Sequence, residues 1–244
     1  MNRLTKFIRS LAALLVGAAM FAPLGAWADT WTDESGNVWT YSGSKVTAVS
    51  FETTNLTIPD TLGGNPVTAF DAAVFKGKTR AVRVTIPATV TAIPASAFEG
   101  CVNLKAVTIQ GEGLTSIGYR AFAGCDNLEE FVMPNSVTSL GQGAFSGCSA
   151  MESVTLSDSL VELSGVAYRG AGTYVSGNGY GDSADSASLS TTDVTDGLFY
   201  NCTSLKTINW GTGIKAIGNV AFLNCSALEK VEIPDTVTEI GYHA

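Results

Sequence analysis

The chain has 244 residues and an acidic composition, with 14 Lys and Arg against 22 Asp and Glu and a formal net charge of −8. This charge argues against nucleic acid and anionic membrane surfaces as partners, because phosphate groups would repel the chain. The chain has one histidine and five cysteines without a Cys-x-x-Cys pair, so the spacing of a zinc site is absent and we expect no metal or cofactor.

Residues 1–28 have the anatomy of a secretory signal peptide. Three basic residues come first, an apolar run covers residues 11–21, and Ala26-Trp27-Ala28 is a small-x-small cleavage motif. The apolar run is shorter than the ~20 residues of a membrane span. The pattern predicts cleavage before Asp29, a secreted or cell-surface location, and no membrane insertion of the mature chain. The mature chain would carry a formal charge of −11, since the lost segment contains three basic residues and no acidic one.

The stretch 29–55 differs from everything that follows. Its apolar residues, among them Trp31, Trp39 and Val46, surround turn sequences at 35–37 and 42–44. This pattern predicts two or three antiparallel strands that cover the first coil of the next region.

From residue 56 to residue 244 the chain repeats itself with a period near 23 residues. Phenylalanines recur at spacings of 23, 24, 23, 54 and 23, and a Cys follows each of the last five by three residues. The phenylalanines are Phe75, Phe98, Phe122, Phe145, Phe199 and Phe222, and the cysteines are Cys101, Cys125, Cys148, Cys202 and Cys225. Because one repeat cannot bury its apolar face alone, this periodicity predicts a solenoid of stacked coils.

Aliphatic residues also fall into columns across the repeats. Val107-Thr108-Ile109 has the alternation of a short strand, 90–93 is expected to form a second strand, and 97–101 a single helical turn. The sequence thus predicts a β-rich repeat solenoid with an N-terminal β-strand cap.

The spacing of 54 contains one repeat and 31 additional residues, at 164–194. This insertion has six Gly, six Ser, three Tyr and three Asp without an apolar period, which is typical of a surface loop. Tyr168, Tyr174 and Tyr180 resemble the aromatic residues of adaptable binding loops. Its aspartates, at 182, 185 and 193, lack the EF-hand spacing, so we prefer an ordinary loop to a calcium site.

These motifs resemble the BspA-like (bacterial surface antigen A) leucine-rich repeats. The resemblance is carried by Ile86-Pro87, Val137-Thr138-Ser139-Leu140-Gly141, Ala121-Phe122, Gly124-Cys125 and Leu128. It covers residues 56–244 and implies a leucine-rich repeat fold. It also implies a secreted or surface protein associated with adhesion, and it brings no catalytic residues.

The cysteines allow two interpretations. Equivalent residues of stacked coils lie within disulfide range, but five side chains that point the same way in one column favour buried free thiols. Catalysis has no support, because the sole histidine is His243 and the acidic pair Glu129-Glu130 is expected on a solvated strand face. We therefore expect that the chain is not an enzyme.

The favoured function is a binding module that mediates adhesion or protein–protein interaction with an unidentified protein or cell-surface ligand. Its candidate site is the contact strip, the outward position of the first strand in successive repeats. The strip contains Thr85, Thr108, Val132, Thr155, Asn209 and Glu232. The alternative is the non-catalytic repeat region of a larger secreted enzyme or surface-anchored protein.

The last repeat stops after Tyr242-His243-Ala244, where the pattern requires Phe. We expect the natural protein to continue with Phe at position 245 and further coils. An end exposed at Ala244 is expected to self-associate through its apolar columns.

Overall fold

The computed structural model describes residues 28–163, 167–169, 173–175, 197–241 and 243–244, with only the backbone of 167–169 and 173–175. The signal peptide predicted for residues 1–28 lies outside the described residues, apart from Ala28. The described strands are, in chain order, β1 (Asp29–Thr32), β2 (Val38–Ser42), β3 (Lys45–Ser50), β4 (Asn55–Thr57), β5 (Thr61–Leu62), β6 (Asn65–Pro66), β7 (Ala69–Phe70), β8 (Arg83–Ile86), β9 (Ala92–Ile93), β10 (Ala106–Ile109), β11 (Ser116–Ile117), β12 (Glu130–Val132), β13 (Ser139–Leu140), β14 (Ser153–Thr155), β15 (Glu162–Leu163), β16 (Ala167–Arg169), β17 (Thr173–Val175), β18 (Thr207–Asn209), β19 (Ala216–Ile217) and β20 (Glu239–Ile240).

The repeats wind into a parallel β-solenoid, which confirms the predicted fold class. Strands at equivalent positions pair in parallel and in register, so Val84 lies opposite Leu56 on one side and Val107 on the other. The first strands of the coils form the sheets β4–β8–β10 and β12–β14–β18, and the second strands form β9–β11–β13 and β15–β19–β20. Among the described residues, no helix reaches the length and apolar character that a membrane span requires.

The segment that carries Ala-Phe forms overlapping turns, so the helical turn predicted for 97–101 is wrong. Within one coil, the amide of Glu99 donates to the carbonyl of Ser96 and that of Cys101 to Phe98. The amides of Ser96, Phe98 and Gly100 instead donate to the next coil, at 2.8, 2.7 and 2.8 Å. Ser96 (φ 56°) and Gly100 (φ 70°) have a left-handed backbone, which a regular helical turn does not contain. The turns thus have their own ladder of hydrogen bonds between coils, which a helical turn would not provide.

The phenylalanines stack face to face along the solenoid axis, as the spacing predicts. Neighbouring ring centroids lie 4.7–5.4 Å apart, and the interplanar angles do not exceed 11°. The five rings from Phe75 to Phe199 are at most 1% exposed, whereas Phe222, in the last repeat that contains a phenylalanine, is half-buried. Most aliphatic column residues are buried in the same way. Val107, Ile109 and Ile208 are half-buried, and Val231, Ile233 and Ile240 in the last described coil are exposed.

The N-terminal region forms the antiparallel sheet β1–β2–β3, and β3 continues in parallel into β7 of the first coil. Trp39 of β2 is fully buried, and its indole Nε1 donates to the carboxylate of Asp33 at 3.0 Å. The same carboxylate accepts hydrogen bonds from the amides of Ser35 and Asn37 and from the side chain of Asn37. Asp33 thus links the turn after β1 to the tryptophan that closes the end of the core.

The insertion at 164–194 contains the antiparallel pair β16–β17. The sequence predicted a loop without secondary structure there, because Gly and Ser obscure any alternation over so few residues. The remainder of the insertion lies outside the described residues.

Candidate binding surface

The contact strip lies along the outer face of the first strands, and the register of those strands aligns its members. Thr85 is directly opposite Thr108 in one sheet, and Thr155 is opposite both Val132 and Asn209 in the other. The side-chain amide of Asn209 donates to the hydroxyl of Thr155 at 3.0 Å. The structure therefore brings five of the six predicted strip residues together in two groups, whereas Glu232 belongs to none of the described strand ladders.

The exposure of the strip varies along the solenoid. Thr108 and Asn209 are exposed, whereas Thr85 and Thr155 are half-buried. Glu232 is exposed and forms an ion pair with Lys230 at 2.6 Å. The strip therefore presents hydroxyl, amide and carboxylate groups to solvent from a backbone that the stacked coils hold in place.

A row of charged residues runs beside the strip at the start of the strands. Lys105 lies 3.4 Å from Glu129, and Lys206 lies 3.3 Å from Glu152. These pairs are at least half exposed, so each contributes at most about 1 kcal/mol to stability. Because Glu129 is solvated and paired, the geometry agrees with a strand face and gives no support to a pair of catalytic carboxylates.

The threonines directly before the second strands have a structural role. The hydroxyl of Thr115 donates to the carbonyl of Thr91 at 3.0 Å, and that of Thr138 to the carbonyl of Thr115 at 3.3 Å. Val161 occupies the corresponding position in the next coil and is 51% exposed. These exposed residues lie on a different sheet from the contact strip and provide matched controls for it.

Two of the three tyrosines predicted as loop contacts lie among the described residues. Tyr168 and Tyr174 are direct cross-strand partners in the β16–β17 pair, which positions their backbones side by side. Tyr180 and the aspartates at 182, 185 and 193 lie outside the described residues. Within the part of the chain that is described, no group of three or more His, Cys, Asp or Glu side chains is arranged to hold a metal ion.

The five cysteines are free thiols and lie in one buried column. Each thiol donates to the carbonyl of the phenylalanine in the preceding coil, as Cys125 does to Phe98 at 3.2 Å. Burial raises the pKa of Cys101 to about 11, and it raises the pKa of Cys125 and Cys148 as well. The column thus contributes packing and weak hydrogen bonds between coils, not reactive thiolates.

Sequence reasoning missed an interruption in the contact strip. The strand ladder stops at β10 and starts again at β12, and Val132 beside this interruption is 59% exposed. The single spacing of 24, from Phe98 to Phe122, was the available signal. The additional residue falls within 110–113, where Gly111 has a left-handed backbone (φ 64°).

The comparisons with known proteins agree with this architecture. A scan of family profiles matches the BspA type leucine-rich repeat region, in six copies, over residues 68–172 and 185–244. A search of curated protein sequences finds no match.

Two similar solved structures combine at least 25% identity over the aligned residues with a TM-score above 0.5. A leucine rich cell surface protein from Faecalibacterium prausnitzii is 28% identical, with a TM-score of 0.62 over 87% of this chain and 50% of that chain. A leucine-rich repeat protein from Bacteroides ovatus is 25% identical, with a TM-score of 0.54 over 91% of this chain and 55% of that chain. The chain therefore spans about half the length of these two proteins.

A leucine-rich repeat protein from T. pallidum, at 22% identity, has a TM-score of 0.51 over 85% of this chain and 88% of that chain, and shows similarity of fold alone. The family profile covers more than half of the residues. The chain therefore belongs to the BspA-type leucine-rich repeat family, whose repeats are in general modules for protein–protein interaction.

Proposed function

We propose that this chain is an exported, non-catalytic binding module that mediates adhesion or protein–protein contact through the outer face of its first strands. The observation that carries the proposal is the alignment of exposed polar side chains along the contact strip, with Thr108 and Asn209 accessible on a rigid array of strands. A rigid scaffold loses little conformational entropy on binding, so the free energy of the contacts does not have to offset the ordering of a flexible loop.

Two features support export to the cell surface. Residues 1–28 have the composition of a cleavable signal peptide. The similar protein from Faecalibacterium prausnitzii is described as a cell surface protein. Amino-terminal sequencing of the protein from culture medium or cell envelope tests this part of the proposal, with Asp29 expected as the first residue.

The partner in this proposal is a protein. The acidic chain disfavours nucleic acid, and the strip offers hydroxyl and amide groups that suit polypeptide surfaces. The insertion, with Tyr168, Tyr174 and Tyr180, supplies aromatic side chains as a second and more adaptable contact region.

The binding experiment uses the mature chain against a panel of purified host matrix proteins and cultured epithelial cells. In the test variant, Thr108→Lys and Asn209→Lys place two long charged side chains on the strip. In the control variant, Thr115→Lys and Thr138→Lys place the same side chains on the second strands. Both variants should retain the far-ultraviolet circular dichroism spectrum and the unfolding midpoint within a few degrees.

We expect the test variant to lose binding by tenfold or more and the control variant to bind like the unmodified chain. Equal binding by both variants would exclude the strip as the site. A variant that lacks 164–194 then decides whether the insertion binds instead.

A further inference from the structure

The interruption of the contact strip forms a notch between two neighbouring coils. Strands β8 and β10 pair over four residues and β12 and β14 over three, but β10 and β12 share no ladder. They stay in contact where the strands begin, through the amide of Glu129, which donates to the carbonyl of Lys105 at 3.2 Å. We call the surface around Ala106–Ile109 and Glu130–Val132 the β10–β12 notch.

Apolar residues are partly or fully exposed at the β10–β12 notch. Val107 and Ile109 are half-buried, although the residues at the same positions in β8, Val84 and Ile86, are at most 1% exposed. Val132 is 59% exposed in a strip whose neighbouring members are Thr108 and Thr155. The core residues of β10 are thus partly exposed at the point where the strip itself becomes apolar, whereas Phe131 of β12 stays buried at 1%.

The notch also carries negative charge without a partner. Glu130 is exposed and, within the described part of the chain, forms no ion pair, whereas the neighbouring Glu129 is paired with Lys105. Glu130 and Val132 are two residues apart on one strand, so their side chains lie on the same face about 6.5 Å apart.

We propose, on the basis of the function proposed above, that the β10–β12 notch binds an extended polypeptide segment of the partner protein. A lysine or arginine of that segment pairs with Glu130. An aliphatic side chain two residues away packs on Val132, the exposed apolar residue of this part of the outer face. Because β10 and β12 remain neighbours, the segment lies across the outer face and does not insert between the strands.

The surroundings match the usual anatomy of a binding hot spot. Such sites have a desolvated apolar centre within a polar rim. Here Val132 is the centre, Thr108 and Thr155 form the rim, and the pairs Lys105–Glu129 and Lys206–Glu152 lie farther out. The interruption, the apolar centre and the unpaired carboxylate thus coincide at one place on the strip.

The test pans a displayed library of random ten-residue peptides against the mature chain and measures the affinity of enriched peptides by fluorescence anisotropy. Val132→Thr restores the threonine of the neighbouring coils and should leave the fold unchanged. Val161→Thr makes the identical change at an equally exposed valine on the second-strand sheet and is the matched control. Glu130→Lys reverses the charge of the notch.

We expect enriched peptides to contain a basic residue two positions from an aliphatic one. Their binding should weaken about tenfold with Val132→Thr and remain unchanged with Val161→Thr, because the truncation of a central contact costs on this scale. Glu130→Lys should abolish the binding of these peptides. The same variant should bind peptides in which Glu replaces the basic residue.

The other outcomes overturn the inference in distinguishable ways. If peptides bind the Val132→Thr variant normally but do not bind the Thr108→Lys and Asn209→Lys variant, the contact strip is the binding site and the notch is excluded. Peptides that tolerate all of these variants count against the strip as well. Failure to enrich any peptide excludes the notch as a peptide site, while the matrix-protein panel still tests the strip independently.

Discussion

The stacked phenylalanines allow a quantitative test of the solenoid, with Phe145→Ala as the central change. Phe145 is fully buried, and its ring centroid lies 5.4 Å from those of both Phe122 and Phe199. Phe131 packs against the same ring at 4.7 Å. Removal of the ring leaves a cavity enclosed on three sides by aromatic groups that cannot collapse without breaking their own stacking. The expected loss in the free energy of unfolding is about 3–5 kcal/mol, a large part of the ~5–15 kcal/mol typical of a domain.

The same substitution at the end of the column provides the control. Phe222 is half-buried; its ring stacks on that of Phe199 at 5.2 Å and meets Trp210 edge-on at 5.9 Å. With less area buried and one open side for relaxation, Phe222→Ala should cost roughly half as much, about 2 kcal/mol. The difference between the two variants isolates the effect of stacking on both sides.

Urea unfolding followed by circular dichroism and tryptophan fluorescence measures both losses. In a solenoid each coil contacts only its neighbours, so a weakened central coil can also separate the transition into two steps. Either a loss of 3 kcal/mol or more or such a separation agrees with the stacked column. Equal losses for the two variants, or a loss below 1 kcal/mol for Phe145→Ala, would refute it.

Three further predictions concern the thiols, the insertion and the cap. The five thiols should react with a thiol reagent at pH 8 only after denaturation, because all five are buried and burial raises the pKa of Cys101 to about 11 and that of Cys125 and Cys148 as well; a disulfide-linked Cys101–Cys125 peptide in mass spectrometry would contradict this. Deletion of 164–194 should leave the thermal unfolding midpoint nearly unchanged, since surface loops add little closure entropy with length, and a fall of more than ten degrees would show that the segment packs on the coils. Burial raises the pKa of Asp33, but hydrogen bonds from Trp39, Asn37 and Ser35 outweigh it and leave the pKa below 3.8. The carboxylate therefore stabilises the fold above its unfolded pKa and loses this effect as pH falls through the lower folded pKa. The difference in unfolding midpoint between the unmodified chain and Asp33→Asn should be constant from pH 5 to 8 and shrink below pH 3.8. A difference that persists at pH 2 would be inconsistent with this linkage.

The positions of the core residues were predictable because neighbours in space are one period apart in the sequence. The spacing from Phe98 to Phe122 and on to Phe145 specifies the stack without knowledge of the backbone. The conformation around these residues was less predictable. The local sequence Ala-Ser-Ala-Phe favours a helical turn, but the amides of Ser96 and Phe98 find acceptors in the next coil. Tertiary hydrogen bonds therefore override the local preference.

The interruption at β10 and β12 shows a second limit of sequence reasoning. The spacing of 24 reveals that one residue has been added. A looping-out of that residue with an intact ladder would have given the same spacing. Which outcome occurs depends on how residues 110–113 accommodate the added residue. One of them, Gly113, packs so closely on the preceding coil that a Cβ there would lie 2.1 Å from the carbonyl oxygen of Ala88. That contact exists only after the coils have stacked.

The threonines of the two strand sets differ in a way that bears on function. On the second strands, the hydroxyls of Thr115 and Thr138 bond to carbonyls of the preceding coil, so stability accounts for them. Within the described part of the chain, the hydroxyls of Thr85 and Thr108 have no hydrogen-bond partner. At those two positions, water would hydrate any other polar side chain as well as it hydrates threonine. Since the fold does not require threonine there, substitutions along the strip should change binding while leaving stability nearly untouched. Loss of the exposed hydrogen bonds of Thr115 and Thr138 should lower the unfolding midpoint by no more than a few degrees and leave binding unchanged.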